Sequence, residues 1–210
     1  MSTTQTSEVQ SNMTPDTALQ LLKDGNRRFL ENSRANRNLL EQVEATREGQ
    51  WPFAVVLSCI DSRAPAELLF DLGIGDVFNA RVAGNFVNRD ILGSMEFGCK
   101  VAGAKLIVVM GHTHCGAVKG ACDDVRLGNL TDMLAKLRPA VESVAEPADP
   151  AQRNSGNPEF VQLVSEKNVE MVLDAIREHS PVLQEMSEAG EIRLVGAMYD
   201  VQTGAVTFSD

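Results

Sequence analysis

Val55-Val56-Leu57-Ser58-Cys59-Ile60-Asp61-Ser62-Arg63 is the stretch that decides the fold of this chain. Its first half is a short apolar run rich in valine, which is typical of a strand buried on both faces in a parallel sheet. The run stops abruptly at a thiol, a carboxylate and a guanidinium. Because open α/β sheets bind their ligands at the carboxyl ends of their strands, we expect these polar side chains to form part of a site.

A second buried strand is predicted at 105–111, and it ends in His112-Thr-His-Cys115. Together, the two strand ends offer two thiols, an imidazole and a carboxylate. If the strand order is 2-1-3-4, the strands at 53–58 and 105–111 are neighbours and their polar ends meet in one crevice. The pattern therefore predicts that Cys59, His112 and Cys115 come together.

Strands alternate with amphipathic helices along the rest of the chain. This alternation predicts an α/β fold with a mostly parallel sheet of four to five strands, in the order 2-1-3-4 with a short edge strand, flanked by helices. The predicted strands are 53–58, 76–82, 105–111, 192–199 and 205–208. The predicted helices are 14–30, 39–47, a short one from Pro65, 89–102, 130–144, 159–179 and one from Pro181 to Gly190.

The chain is expected to form a single domain over residues 14–210, preceded by a tail. Residues 1–13 are polar and rich in Ser, Thr and Gln, so we expect them to be disordered. Thr14, Pro15 and Asp16 then supply a helix cap, a proline at the first helical position and an acid in the first turn. The helix that follows, together with the one at 39–47, makes an N-terminal helical arm.

The composition of the 210 residues excludes several classes of partner. A formal net charge of −10 argues against nucleic acid and against an anionic membrane surface, because both would repel the chain. No apolar run approaches the roughly 18 residues that a membrane span needs, and the N-terminus lacks a secretory signal pattern. Four cysteines are too few for a disulfide scaffold. We therefore expect a cytoplasmic protein.

Cys59, His112 and Cys115 form a donor set that zinc prefers. Three protein ligands of thiolate and imidazole type, with a fourth position left open, are typical of a catalytic zinc site. The other two cysteines, Cys99 and Cys122, are interpreted as small core residues. The sequence predicts one Zn²⁺ per chain.

Asp61 and Arg63 are predicted to assist at this site. Two thiolates cancel the charge of Zn²⁺, so the metal acidifies its water less strongly than it would with three imidazoles. Asp61 can accept a hydrogen bond from zinc hydroxide and orient it, and Arg63 can clamp Asp61 and keep it ionised. Without that clamp, Asp61 could become a zinc ligand itself in a closed form. An open site is expected.

These residues resemble the motifs of the β-class carbonic anhydrases. The resemblance extends from the N-terminal helix to the last strands, and it is carried by Cys59-Ile-Asp61-Ser-Arg63, Arg81-Val-Ala-Gly-Asn85 and Gly111-His112-Thr-His-Cys115-Gly116. It implies a lyase that hydrates CO₂ reversibly to bicarbonate and a proton by zinc-hydroxide attack. It also implies a homodimer, or a dimer of dimers, with active sites at the subunit interface.

The same resemblance implies which residues contact substrate. Gln50 corresponds to a glutamine that hydrogen-bonds substrate, Phe78 and Phe97 to apolar pocket residues, and Ala83 and Gly116 to further substrate contacts. Some relatives hold a regulatory bicarbonate with a tryptophan, an arginine and a tyrosine. Arg81 and Tyr199 match that pattern but Val56 replaces the tryptophan, so the regulatory site is expected to be absent.

Three other functions fit the same motifs. A hydrolase of carbonyl sulfide or carbon disulfide would use a similar site, because these substrates are also linear and apolar. A non-catalytic, zinc-stabilised assembly protein would keep Asp61 on the metal. A thiol redox protein is a third alternative, although the chain has no Cys-x-x-Cys pair.

Overall fold

A computed structural model describes residues 4–209 of the chain. Its sheet has five strands in the order β2-β1-β3-β4-β5, as predicted. The first four strands pair in parallel, and β5 pairs antiparallel with β4. The strands are β1 (Ala54–Ser58), β2 (Val77–Arg81), β3 (Leu106–His112), β4 (Arg193–Tyr199) and β5 (Val206–Ser209).

Helices cover both faces of the sheet, so the predicted α/β fold is confirmed. The α-helices are α1 (Ser7–Ser11), α2 (Pro15–Leu30), α3 (Leu39–Thr46), α4 (Ala66–Leu69), α5 (Arg89–Glu96), α6 (Gly116–Cys122), α7 (Gly128–Ala135), α8 (Arg138–Ser143), α9 (Pro158–His179) and α10 (Pro181–Glu188). A π-helical turn, Phe97–Val101, continues α5, and Pro150–Gln152 is a 3₁₀ turn. No helix among residues 4–209 is both long and apolar enough to cross a membrane.

The two central strands are buried along their whole length. Every residue of β1 and β3 is buried, which is the state that their unbroken apolar runs predict. Successive side chains point to opposite faces, so Val55 and Leu57 join one core while Ala54 and Val56 join the other. Because both faces are covered, only the strand ends are open to a ligand.

The N-terminal tail differs from the prediction. Residues 7–11 form helix α1, and Gln10 is buried although the sequence here is polar. The Gln10 amide donates to the carbonyl oxygens of Pro52 (2.7 Å) and Ala102 (2.8 Å), which fastens α1 to the edge of the core. The prediction of a disordered tail is therefore wrong for this segment, while residues 1–3 of that tail lie outside the described residues.

The region after Cys115 also differs from the prediction. The chain enters α6 immediately after Cys115. The sequence did not predict this helix, because it contains two glycines, which disfavour helices. The single helix predicted at 130–144 is divided into α7 and α8. The division falls at Lys136–Leu137, just before Pro139, which lies in the first turn of α8. Proline has no N–H to donate to the preceding turn, so a continuous helix is interrupted there.

A buried ion pair fastens the helical arm to the sheet layer. Asp71, whose side chain is only 3% exposed, accepts hydrogen bonds from Arg28 (2.6 Å) and Arg37 (2.6 Å) and from the backbone N–H of Ala35 (3.1 Å). Burial alone would raise the pKa of Asp71, but the two guanidinium groups lower it below its ordinary value. Arg37 also donates to the Asp71 carbonyl.

We predict that Asp71→Ala lowers the free energy of unfolding by about 3–5 kcal/mol, because it leaves the charge of Arg37 buried without its partner. Urea unfolding followed by circular dichroism measures the loss. Asp124→Ala is the control, since Asp124 pairs with two arginines at the surface, where ion pairs contribute little. Equal stability of the two variants would contradict the prediction.

Candidate metal centre

The carboxyl ends of β1 and β3 bring three predicted ligands together. Cys59 follows β1, His112 ends β3 and Cys115 lies three residues further on. One ligand atom from each of the three lies within 4.8 Å of the others, and all three residues are buried. The two Sγ atoms are 3.9 Å apart. Cysteines from separate parts of the chain thus face one small volume, and neither is in a disulfide.

The imidazole of His112 is oriented for a metal ion. Its Nδ1 lies 2.9 Å from the carbonyl oxygen of Thr113. Because a carbonyl can only accept a hydrogen bond, Nδ1 carries the proton and Nε2 carries the free lone pair. That Nε2 atom is buried and has no hydrogen-bond partner within the described residues. A buried, unpartnered lone pair that faces two thiols is the arrangement a metal ligand requires.

The pKa values of the two thiols are shifted in opposite directions. The pKa of Cys59 is lowered to about 4, chiefly because the Cys115 thiol donates a hydrogen bond to its sulfur. The pKa of Cys115 is raised, because it gives that hydrogen bond to Cys59 and because it is buried. Within the protein alone, the pair therefore favours a single negative charge. A divalent cation would stabilise both thiolates at once, since metal ligands must be deprotonated.

Backbone N–H groups surround each sulfur. Cys59 Sγ accepts from the N–H of Gly84 (3.4 Å), and the nearby backbone N–H of Asp61 also acts to lower the pKa of Cys59. Cys115 immediately precedes α6, and the nearby N–H groups of Ala117 and Val118 act to lower the pKa of its thiol, against the larger effects that raise it. Such donors favour thiolate over thiol. The donor set, its burial and the free Nε2 of His112 together fit zinc, which prefers thiolate and imidazole ligands.

Asp61 and Arg63 form the predicted pair beside this cluster. Arg63 donates from Nε to Oδ1 (2.9 Å) and from Nη2 to Oδ2 (2.7 Å), and its backbone N–H also donates to Oδ1 (2.9 Å). The Arg63 side-chain hydrogen bonds hold the pKa of Asp61 well below its usual range. Asp61 Oδ2 lies 3.9 Å from His112 Nε2. The carboxylate therefore adjoins the cluster while Arg63 holds it.

Arg81 fixes the backbone that carries the first ligand. Its Nε donates to the carbonyl of Cys59 (2.9 Å) and its Nη2 to the carbonyl of Asp61 (2.6 Å). The guanidinium thus grips the loop on both sides of Ile60. Val56 is fully buried in the core at the position where the regulatory tryptophan would stand. Arg81 therefore has a structural role in this loop that does not depend on a bound bicarbonate.

Two of the predicted substrate residues lie beside the cluster. Ala83 directly precedes Gly84, whose N–H reaches Cys59, and Gly116 directly follows Cys115. A Cβ added to Gly116 would meet no atom within 4 Å, so this side of the cluster is open.

The other three predicted substrate residues lie elsewhere in the chain. Gln50 is exposed and precedes β1, so it lies at the end of the strand opposite to Cys59. Phe78 pairs with Val55, four residues before Cys59, a distance of roughly 13 Å along the strand. The Phe97 ring contacts the Phe78 ring, with centroids 6.1 Å apart, and Phe97 is 51% exposed. Within one chain, these three do not join the ligands.

A match to a protein family decides which family the chain belongs to. The family model described as "Carbonic anhydrase" matches residues 54–206, which include all three candidate ligands. The chain belongs to the carbonic anhydrase family. The prediction of a carbonic anhydrase, a lyase, is thereby confirmed.

Individual carbonic anhydrases resemble the chain over nearly its whole length. Carbonic anhydrase 2 of Mycobacterium tuberculosis is 33% identical over 202 residues, which cover 95% of each chain. The carbonic anhydrase of Pseudomonas aeruginosa is 30% identical over 193 residues, covering 89% of this chain and 86% of the relative. Among solved structures, the β-carbonic anhydrase CafA of Aspergillus fumigatus superposes with a TM-score of 0.72 at 29% identity, covering 93% of this chain and 90% of the other. The resemblance to the β class is confirmed.

Sequence reasoning missed two residues that lie beside the candidate ligands. Gly84 supplies a hydrogen bond to Cys59, and Asn168 of α9 contacts Gly84. Gly84 lies inside a quoted motif, so the motif could have indicated it. Asn168 carries no such signal, because an isolated asparagine within a helix is not distinguished from a surface residue by its spacing.

We predict that Cys59→Ala abolishes stoichiometric zinc binding, because only two of the three ligands remain. Zinc content per chain, measured by atomic emission after dialysis, tests the prediction. Cys99→Ala is the matched control, since Cys99 is equally buried but lies in the core away from the cluster. A full zinc content in Cys59→Ala would remove Cys59 from the ligand set.

Proposed function

We propose that this chain catalyses the reversible hydration of CO₂ to bicarbonate and a proton, with one zinc ion held by Cys59, His112 and Cys115. The observation that carries the proposal is the Asp61 carboxylate, which Arg63 holds 3.9 Å from the unpartnered Nε2 of His112. A purely structural zinc site needs no such group. Its ligands are usually four protein side chains, and it has no use for an oriented carboxylate beside an open position.

Zinc bound to the three ligands would supply a water of lowered pKa, which can attack the carbon of CO₂ near neutral pH. Asp61 accepts a hydrogen bond from the attacking oxygen and directs its lone pair toward the substrate. It can do so because Oδ1 already accepts two N–H groups of Arg63, whereas Oδ2 accepts one and faces the cluster. Arg63 keeps Asp61 ionised and prevents it from turning toward the ligands.

The metal-ligating thiols also bear on location. Thiolates remain available to a metal in compartments that do not form disulfides, so we place the enzyme in the cytoplasm.

After the reaction, bicarbonate leaves through the open side at Ala83 and Gly116, and the proton passes to buffer.

A second copy of the chain completes the site in this proposal. Gln50, Phe78 and Phe97 cannot reach the ligands of their own chain, yet Phe97 presents an exposed ring beside Phe78. The arm offers a surface for such a contact, since α3 carries Leu39, Leu40 and Val43 on one side, 53%, 79% and 49% exposed. Apolar residues clustered on a helix face in this way are typical of an interface. We propose a homodimer, alone or paired into a dimer of dimers.

We predict that Asp61→Asn retains one zinc per chain but lowers the CO₂ hydration rate at least tenfold, because the amide donates where the carboxylate accepted. Stopped-flow hydration assays on zinc-assayed protein measure the loss. Asp124→Asn is a close control: Asp124-Val-Arg126 repeats the Asp-x-Arg spacing and the double hydrogen bond from arginine, but on the surface. Zinc-loaded wild-type protein without hydration activity would refute the proposed function.

We predict that Leu40→Glu shifts the assembly toward monomers and lowers activity with it, because the charge lies in the proposed interface. Analytical ultracentrifugation across a concentration series measures the shift. Leu127→Glu places the same charge on another exposed leucine, outside the arm, and should leave the assembly intact. A monomeric and fully active wild-type enzyme would contradict the completion of the site by a second copy.

A further inference from the structure

Asn168 is a buried polar residue that the proposed mechanism does not use. It lies on the long helix α9 and is only 3% exposed. Its Nδ2 donates a hydrogen bond of 2.9 Å to the carbonyl oxygen of Gly84, a residue 84 positions earlier in the chain. A buried amide that reaches across the fold to one loop carbonyl fixes that loop.

Gly84 is the residue whose N–H reaches the first ligand, at 3.4 Å from Cys59 Sγ. It is the third residue of a turn that is closed by a hydrogen bond from Asn85 N–H to the Val82 carbonyl (2.9 Å). Its φ of +81° belongs to the left-handed region that such a turn requires. A Cβ at this position would lie 2.6 Å from Leu137, so a larger residue would also have to displace that side chain.

The freedom of glycine makes an external restraint necessary. Glycine adopts both signs of φ readily, so the turn alone does not hold the Gly84 N–H on the sulfur. Leu137 closes one side of Gly84, and the Asn168 hydrogen bond restrains its carbonyl. Together these contacts leave the N–H directed at Cys59.

We propose that Asn168 is a positioning residue for the metal centre, which holds the Gly84 N–H on Cys59 and thereby tunes the electron density that this sulfur gives to the metal. The inference rests on the proposed zinc site. An N–H···S hydrogen bond withdraws density from a thiolate. Because two thiolates already cancel the metal charge, this withdrawal keeps the metal acidic enough to activate water. Groups that hydrogen-bond to ligands commonly change metal affinity by about 10- to 100-fold.

The test compares two matched truncations, Asn168→Ala and Asn26→Ala. Asn26 is also a buried asparagine, 5% exposed, and it donates to the carbonyls of Leu69 (3.1 Å) and Gly204 (3.0 Å), away from the metal centre. Asn26 Oδ1 also accepts the Val206 N–H (2.9 Å), so among the described residues Asn26→Ala breaks three hydrogen bonds where Asn168→Ala breaks one. Asn26→Ala should therefore lose at least as much stability in urea unfolding. Only Asn168→Ala should bind Co²⁺ about tenfold more weakly in a chelator competition, because the loss of the restraint that orients the Cys59 ligand outweighs the stronger donation of its sulfur.

The spectrum of the Co²⁺-substituted protein gives a readout that structural loosening alone would not move. Removing the hydrogen bond raises the energy of the sulfur lone pair, so the thiolate-to-cobalt charge-transfer band of Asn168→Ala should shift to longer wavelength. Asn26→Ala should keep the wild-type band. Asn168→Leu, which removes the donor but preserves most of the volume, should show the same shift as Asn168→Ala, which assigns the effect to the hydrogen bond rather than to a cavity.

Three outcomes would overturn the inference. Folded Asn168→Ala with wild-type affinity and band position would show that Asn168 only packs. Equal shifts in Asn26→Ala would show that general destabilisation moves the band. A wild-type protein that binds Co²⁺ without any thiolate charge-transfer band would refute the proposed metal site itself, and this failure is recognised before any variant is compared.

Discussion

The pairing of β1 with β3 is the constraint on which the rest of this structure depends. Parallel neighbours end at the same edge of a sheet, and the register of Ser58 with Met110 continues to place Cys59 beside the residues that close β3. Neighbouring strands lie about 4.8 Å apart, a separation that side chains converging from their ends can close around one ion. Candidate ligands 53 and 56 positions apart in sequence are thus brought together by the pairing of two strands.

The parts of the fold that the sequence predicted are those set by local pattern. The buried runs at β1 and β3 marked the centre of the sheet, and the polar residues that stop them marked its ligand edge. The parts that were missed depend on distant partners. Gln10 is buried because two backbone carbonyls of the core accept hydrogen bonds from its side-chain amide. Asn168 was missed because its partner, the Gly84 carbonyl, lies far away in the sequence. Neither partner can be identified from the residues around the asparagine or glutamine.

Two Asp-x-Arg pairs in this chain show how environment decides the role of a motif. Asp61 with Arg63 and Asp124 with Arg126 share their spacing, and each aspartate accepts two guanidinium hydrogen bonds, on both carboxylate oxygens in Asp61 and on Oδ2 in Asp124. The first aspartate adjoins buried Nε2 and Sγ atoms and has a side chain only 17% exposed, whereas the second is 56% exposed. Spacing alone could not separate them. The cysteine two positions before Asp61 was the distinguishing signal, because it tied that pair to a strand end.

The hydrogen bonds from Arg81 to the Cys59 and Asp61 carbonyls bear on the order in which the protein folds and acquires its ion. The loop that carries the first ligand is held by contacts that do not involve an ion, and the strands beneath it are fully packed. Small zinc domains, in contrast, are unfolded until metal arrives. In the proposed zinc enzyme, this loop can therefore take up its shape before the ion binds, and the ion can be acquired after folding.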